Sequence, residues 1–79
     1  MSPHFQPLAL SPTGASVAVA ALIGGREMQR RMTELGIVVG RELRVIRGGS
    51  AGPLVVAVGE TRLALGQELS RKILVTIAP

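Results

Sequence analysis

Residues 54–65 read LVVAVGETRLAL, and this stretch decides the fold. Two apolar runs, Leu54–Val58 and Thr61–Leu65, stand on either side of the pair Gly59-Glu60. A Gly-X pair between two such runs is typical of a type II′ turn, whose twist matches that of the strands it joins. The stretch therefore predicts a tight antiparallel β-hairpin.

Three further apolar runs predict strands around this hairpin. Residues 43–47 lead into it through the glycine-rich segment 48–53, and residues 73–77 follow it, with Ile73, Val75 and Ile77 expected to point inward. The run 17–23 is rich in β-branched residues and is apolar on both alternate faces, as expected of a strand covered on two sides. Residues 67–72 are expected to contain a single helical turn before the last strand. Five short strands separated by glycine turns predict a mainly β fold, a small and partly open β-barrel.

One segment has the period of an α-helix instead. Met28, Met32 and Leu35 recur at positions i, i+4 and i+7, which places them in one apolar stripe. Gly36 follows the last apolar position, where a left-handed cap at the C-terminal end of a helix is commonly glycine. The pattern predicts one inserted helix over about residues 26–35.

The opposite side of the predicted helix is polar. It carries Arg26, Gln29, Arg30 and Thr33. Glu27 stands four residues before Arg31, a spacing at which an exposed ion pair stabilises a helix by about 0.2–0.5 kcal/mol. The N-terminus lacks a side-chain cap, because Gly25 offers no acceptor.

The composition indicates one domain over residues 1–79. The chain is 47% hydrophobic and has no cysteine, so apolar packing has to stabilise it without disulfides or thiolate metal sites. A chain of this length buries only about 60% of its unfolded surface, which is too little to divide between two cores. We expect residues 1–7 to form a loose, proline-containing lead-in, and Leu8 and Leu10 to dock on the core.

The charge is basic. Nine Lys and Arg against five acidic residues give a net charge of +4 at pH 7, and eight of the nine cations are arginine. This excess is compatible with binding to phosphates, to an acidic protein face or to anionic lipid, and it does not distinguish among these partners. The longest apolar run, 17–23, is far shorter than the roughly 20 residues of a membrane helix, and no basic segment typical of a secretion signal opens the chain. We therefore expect no membrane insertion and a cytoplasmic location.

Side chains suited to catalysis or metal binding are few. His4 is the only histidine, and the carboxylates are those of Glu27, Glu34, Glu42, Glu60 and Glu68. Their spacing matches neither a hydrolytic triad nor a metal site and is typical of solvated surface charge. A weak Fe²⁺ or Zn²⁺ site would have to combine His4 with a carboxylate and water, and no ligand spacing supports it. The sequence predicts no enzyme activity, no cofactor and no metal site.

Two binding classes are disfavoured by residue type. The segment 48–52 lacks the Lys-Ser/Thr pair of a phosphate-binding loop and precedes a strand, so it is interpreted as a flexible connection. Phe5 is the sole aromatic residue, whereas single-stranded nucleic acid and proline-rich peptides are both bound on aromatic side chains. The remaining prediction is a basic, aliphatic module that docks onto another protein.

Several motifs in the right order resemble one family. Residues 32–40, MTELGIVVG, with Arg31 before them, resemble the R-L-x-E-L-G-I-x-x-G signature of FeoA, a small accessory protein of bacterial ferrous iron transport. The segments that resemble the family's other strands and turns are 22–25, 52–59, 61–65 and 67–75. Together the resemblance extends from about Leu8 to Ile77.

This resemblance implies an SH3-like barrel with an inserted helix, which agrees with the element order expected above. It also implies that the protein acts on FeoB, the membrane permease that carries a cytoplasmic GTP-binding domain and moves Fe²⁺. Docking on that domain would adjust the nucleotide cycle or the gate without any chemistry by this chain. The candidate contact residues are Arg26, Gln29, Arg30 and Thr33 on the helix and Gly49 and Ser50 in the glycine loop.

Two positions depart from the family pattern. Gly66 replaces the usual arginine, and Leu69 replaces a small alanine and adds volume that repacking must absorb. An arginine inserted into a GTPase site accelerates hydrolysis, and Arg26, Arg30 or Arg47 is the candidate for such a role.

Other interpretations remain open. The same SH3-like domain occurs at the C-terminus of DtxR-type metal-dependent repressors, so the resemblance also implies a transition-metal-sensing regulatory module as the alternative function. The sequence contains no helix-turn-helix, which disfavours direct operator binding. A small barrel that binds nucleic acid is a third interpretation and would lose affinity steeply with salt. Whether the protein forms a homo-oligomer is open as well.

Overall fold

An antiparallel sheet of six strands makes up most of the structure, a computed structural model that describes residues 5–48 and 52–77. The strands are β1 (Gln6–Pro7), β2 (Ser16–Leu22), β3 (Glu42–Arg47), β4 (Leu54–Val58), β5 (Thr61–Leu65) and β6 (Ile73–Ile77). They lie in the order β1-β6-β2-β3-β4-β5. This arrangement confirms the mainly β fold and the five predicted strands, and it adds a sixth.

The helices lie where the sequence predicts them. α1 covers Arg26–Glu34 and the short α2 covers Gln67–Arg71, and a 3₁₀ turn is formed by Leu8–Leu10. Within the described ranges, these helices are too short or too polar for any of them to cross a bilayer.

The first strand differs from the expectation of a loose lead-in over residues 1–7. Gln6 and Pro7 pair with Val75 and Leu74 of β6, so the sheet begins at Gln6. Residues 1–4 lie outside the described residues. Leu8 then docks on the core with no exposed surface, as predicted, but Leu10 is 70% exposed and that prediction is wrong. With three residues per turn in a 3₁₀ turn, positions i and i+2 point in different directions.

β2 lies between β3 and β6. Its first residues, Ser16 to Ala18, pair with β3, and the strand pairs with β6 from Val17 to Leu22. A register shift between Val19 and Ala21 marks a bulge at Ala20, which bends the strand between its two partners. Val17 and Val19 are buried and Ala20 is half-buried, so the strand is covered on both faces, as its apolar sequence predicts.

The β4–β5 hairpin has the predicted geometry. Val58 lies opposite Thr61, which leaves a loop of two residues. Gly59 has a φ of +60°, and no non-glycine residue in the described ranges, Glu60 included, has a positive φ. A positive φ at the first loop position alone is the mark of a type II′ turn.

The C-terminal end of α1 is closed by a Schellman motif. Gly36, with a φ of +84°, donates its N–H to the carbonyl oxygen of Thr33 at 2.9 Å. Ile37 donates its N–H to the carbonyl oxygen of Met32 at 2.8 Å, and both of these side chains are buried. The motif joins the helix end to the core, as the position of Gly36 predicts.

The N-terminal end of α1 is also closely packed. Gly24 has a φ of +138°, and a Cβ built on it would lie 2.8 Å from Cγ and 2.9 Å from Cβ of Met28. Met28 packs partly buried against the core, while Leu35, the third residue of the predicted stripe, is exposed. The chain therefore turns into α1 with no room for a side chain at position 24.

The core lies between the strands and under α1. Its buried apolar residues are Leu8, Val17, Val19, Met32, Ile37, Leu43, Val45, Leu54, Val56, Val58, Leu65, Ile73 and Val75. Alternate residues of β4 and β6 supply much of it, as expected of strands with one face inward. The prediction that Ile77 also points inward is wrong, because the end of β6 is exposed.

Replacing Gly24 with alanine should lower the free energy of unfolding by about 2–4 kcal/mol, because the new Cβ overlaps Met28 and the positive φ strains an L residue. Gly40→Ala is the matched control. Gly40 has a φ of +93°, and its Cβ would meet nothing within 4 Å, so strain alone should cost about 1–2 kcal/mol. Urea unfolding followed by circular dichroism measures both losses, and equal losses would contradict the close contact at Met28.

Two buried serines should respond in opposite ways to alanine. The hydroxyl of Ser11 has no hydrogen-bond partner among the described residues, whereas that of Ser70 donates to the carbonyl oxygen of Gln67 at 3.2 Å. Ser11→Ala removes an unsatisfied polar atom and should raise the free energy of unfolding by about 1 kcal/mol, and Ser70→Ala should lower it by about 1 kcal/mol. Thermal denaturation of both variants checks the sign, and a lower melting temperature for Ser11→Ala would contradict it.

Candidate docking surface

The polar side of α1 is exposed at three of the four predicted contact positions. Arg26, Arg30 and Thr33 are exposed, whereas Gln29 is half-buried. The period of the helix therefore places these residues together on one side, as predicted. Their individual contacts decide which of them are free to bind a partner.

Gln29 is used by the fold. Its amide Nε2 donates to the carbonyl oxygen of Leu22 at 2.9 Å, at the end of β2, and lies 3.5 Å from that of Gly24. This hydrogen bond fixes α1 to the strand that precedes it. We therefore interpret Gln29 as a residue that holds the candidate surface in place. Because its amide nitrogen is already bonded, little of its side chain is available to a partner.

Thr33 and Arg30 also make contacts within the helix. Thr33 Oγ1 donates to the carbonyl oxygen of Gln29 at 2.9 Å, the usual bond of a threonine inside a helix. Arg30 Nη2 lies 3.3 Å from Glu27 Oε1, and the two side chains are 68% and 80% exposed. A pair this exposed contributes little to stability and can be exchanged for an external carboxylate.

Glu27 thus pairs with Arg30 and not, as predicted, with Arg31. Positions i+3 and i+4 both lie beside position i on a helix, and such pairs differ by only a few tenths of a kcal/mol. The side chains of Arg26 and Arg31 form neither a hydrogen bond nor an ion pair with any other described residue. The helix therefore presents two unpaired guanidinium groups and one weakly paired one.

The glycine loop lies only in part within the described residues. Gly49 and Ser50, the two predicted contact residues of this loop, are outside them. Gly48 donates its N–H to Thr13 Oγ1 at 2.9 Å, so the loop begins against the segment that precedes β2. Among the described residues no hydrogen bond joins this loop to α1. The structure thus supports the helix as a candidate surface and leaves the loop an expectation.

The apolar residues at both ends of α1 are not among the contact residues predicted from the sequence. Ile23 is exposed before the helix, and Leu35, Val38 and Val39 are exposed after it. Their apolar character predicts burial, and only the folded backbone shows that they face solvent. Exposed aliphatic side chains beside a basic helix add apolar area to a docking surface.

Metal ligands do not cluster in the part of the chain that the structure describes. No group of three or more His, Cys, Asp or Glu side chains comes together there. His4, the only histidine, lies outside the described residues.

Solved structures with the same fold include two kinds of protein. The crystal structure of an iron uptake regulatory protein, FeoA, has a TM-score of 0.88 at 24% identity and covers 95% of this chain and 100% of that one. A manganese-dependent transcriptional repressor has a TM-score of 0.87 at 25% identity and covers 99% of this chain, but only 44% of the repressor. These likenesses confirm the SH3-like fold with its inserted helix.

The sequence comparisons identify the family. A protein of Methanocaldococcus jannaschii named putative Fe(2+) transport protein A is 33% identical over 69 residues, which are 87% of this chain and 83% of that protein. The FeoA domain family matches residues 6–77. Because both findings extend over most of the chain, the protein belongs to the FeoA domain family.

Proposed function

We propose that this protein is a cytoplasmic accessory component of ferrous iron transport that docks on the GTP-binding domain of an FeoB-type permease and modulates it. The observation that carries this proposal is the family match over residues 6–77, together with a relative named for Fe²⁺ transport. The protein contributes a surface to this process and performs no catalysis of its own.

The exposed side of α1 is the proposed contact. Arg26 is unpaired among the described residues, and Arg30 can leave Glu27 at little cost, so both are available to acidic side chains of a partner. Positive charge on one side of a helix speeds association with an acidic surface. The apolar residues Ile23 and Val39 at the two ends of the helix would supply the dehydrated part of the contact.

The position of this helix is well defined. Met32 and Ile37 lock its C-terminal end to the core, and the amide of Gln29 holds it to the end of β2. Binding therefore need not order the helix, which lowers the entropic cost of docking.

A second candidate function is a transition-metal-sensing module. The likeness to a manganese-dependent transcriptional repressor at a TM-score of 0.87 favours it. Within the described residues, however, the candidate ligands do not form a group of three. Such a site would have to recruit residues outside them, such as His4, or a second molecule.

Arg26→Glu should weaken binding to the isolated cytoplasmic domain of the permease at least tenfold. The change removes a cation from the proposed contact, and an acidic residue in the first turn suits the helix dipole, so the fold should be unharmed. Arg71→Glu on α2 is the control, because it makes the same change in charge outside the proposed contact residues. Calorimetric titration measures both affinities, and equal losses for the two variants would contradict the proposed contact.

Docking should also change the rate of GTP hydrolysis by the permease domain. Single-turnover hydrolysis is measured with and without a saturating amount of this protein. If an arginine enters the nucleotide site, Arg26→Ala or Arg30→Ala should abolish an acceleration of about 10³-fold or more, whereas a change in conformation alone should be smaller. The absence of both binding and any rate change would contradict the proposed function.

Metal titration separates the two candidate functions. A metal-sensing module should bind Fe²⁺ under anaerobic conditions, or Zn²⁺, with micromolar affinity and a defined stoichiometry. Equilibrium dialysis that finds nothing tighter than millimolar would dispose of this second candidate and leave the docking proposal intact.

A further inference from the structure

The strand β5 is an edge of the described sheet. All five of its residues, Thr61–Leu65, pair with β4 on one side, and among the described residues no strand pairs with its other side. The opposite edge is formed by β1, which has only two residues. β5 is therefore the longer of the two edges to which another strand could add.

The hairpin geometry shows which backbone groups of β5 are free. A two-residue turn is closed by a hydrogen-bonded pair, here Val58 and Thr61, and such pairs alternate with non-hydrogen-bonded ones along an antiparallel ladder. Arg62 and Ala64 therefore lie at non-hydrogen-bonded positions, and their N–H and C=O groups point away from β4. No other described residue donates to or accepts from these groups. Four backbone groups are thus available in the spacing that a further strand requires.

Three arginines lie on the outer face beside this edge. Arg44, Ala57 and Arg62 occupy directly opposite positions on β3, β4 and β5, so their side chains share one face. Arg47 lies opposite Val55, two residues from Ala57, and therefore shares that face as well. Positions 44 and 47 would face opposite ways in a regular strand, but the bulge between Val45 and Arg47 brings them together.

Within residues 5–48 and 52–77, these three guanidinium groups have no partner. The ion pairs found among the described residues are Arg30–Glu27 and Lys72–Glu68, and no hydrogen bond to another described residue involves the side chain of Arg44, Arg47 or Arg62. An open depression of about 730 Å³ lies over this face and is lined in part by Ser16, Glu42, Arg44, Ala57, Glu60 and Arg62. The two carboxylates of this depression belong to Glu42 and Glu60. Neither forms an ion pair with a described residue, so no described arginine nitrogen lies within 4 Å of them.

We propose that β5 receives an acidic, extended segment of another protein as an additional strand. The free N–H and C=O groups of Arg62 and Ala64 would bind the backbone of that segment, and a carboxylate opposite Arg62 would meet its guanidinium. Arg44 and Arg47 would attract further acidic residues over the small side chain of Ala57. This surface lies on the sheet, so the inference goes beyond the docking proposed for α1.

Charge and residue type favour an acidic peptide over a second copy of the chain and over single-stranded nucleic acid. A second copy of the chain would bring its own Arg62 to the same edge, in a protein whose net charge is already +4. Single-stranded nucleic acid is bound by stacking on aromatic rings, and Phe5, the only aromatic residue, precedes β1 at the opposite edge of the sheet. An acidic peptide uses both the free backbone and the unpaired arginines.

The probe is the capped peptide TEVEVEVT, with TKVKVKVT as its basic counterpart. Titrated into the full chain, the acidic peptide should bind at least tenfold more tightly and should shift and protect the amide signals of Arg62 and Ala64. Equal affinity for the two peptides, shifts confined to other strands, or no binding at all would overturn the proposal.

Two pairs of variants separate backbone pairing from charge. Ala64→Pro removes the outward N–H and should weaken acidic peptide binding at least tenfold, whereas Ala64→Val keeps that N–H and should stay within about threefold. Arg62→Glu should weaken binding at least tenfold and Arg71→Glu, on α2, less than twofold. If Arg62→Glu abolishes binding and Ala64→Pro does not, the face binds anions without strand addition and the proposal is wrong.

Two further measurements test the other occupants. Sedimentation should show a monomer, and a dimer dissociated by Ala64→Pro would make a second copy the occupant. An oligouridine that binds the same residues more tightly than the acidic peptide would make the partner a nucleic acid. Neither result bears on binding of the permease domain through α1, so this inference and the proposed function can fail independently.

Discussion

The pairing of β2 with two different strands is the constraint on which the structure depends. Val17 lies opposite Leu43 of β3 and opposite Ile77 of β6, so one strand joins residues that are far apart in the chain. Beyond Ala18 the backbone of β2 bonds to the loop before β3, where Gly40 donates to Val19 and Val19 donates to Arg41. Since the chain must return from the end of β2 to this loop, α1 has to fit between two fixed points. Its close turn at Gly24 and its Schellman motif at Gly36 are the local means by which it does so.

Elements set by local backbone preferences could be predicted from the sequence. The turn at Gly59-Glu60 and the cap at Gly36 need only a residue that tolerates positive φ at a defined place. β1 could not be found in this way, because two residues have no period and their partners lie at the far end of the chain in β6. The exposure of Leu10 and Ile77 was missed for a related reason: an apolar residue reveals its preference for the core, but not whether the core has room for it.

The surfaces were predictable to different degrees. The helical period places Arg26 and Arg30 on the exposed side of α1, but it gives no sign that Gln29 is bonded to the carbonyl oxygen of Leu22. On the sheet the sequence is misleading, because arginines spread along the chain resemble ordinary solvated charges. A bulge in β3 puts Arg44 and Arg47 on one face, and the hairpin register adds Arg62 beside them. Neither the bulge nor the register can be deduced from the spacing of the arginines.

The use of arginine in place of lysine bears on what both surfaces can bind. A guanidinium presents a planar set of donors that matches a carboxylate, and it loses less hydration on pairing than an ammonium does. A protein with one aromatic residue cannot gain affinity by stacking, so its binding energy has to come from charge, aliphatic contact and backbone hydrogen bonds. The side of α1 offers the first two, since unpaired arginines and exposed aliphatic residues lie along it. β5 offers the third, because the non-hydrogen-bonded positions of its hairpin leave directional backbone groups beside an unpaired arginine.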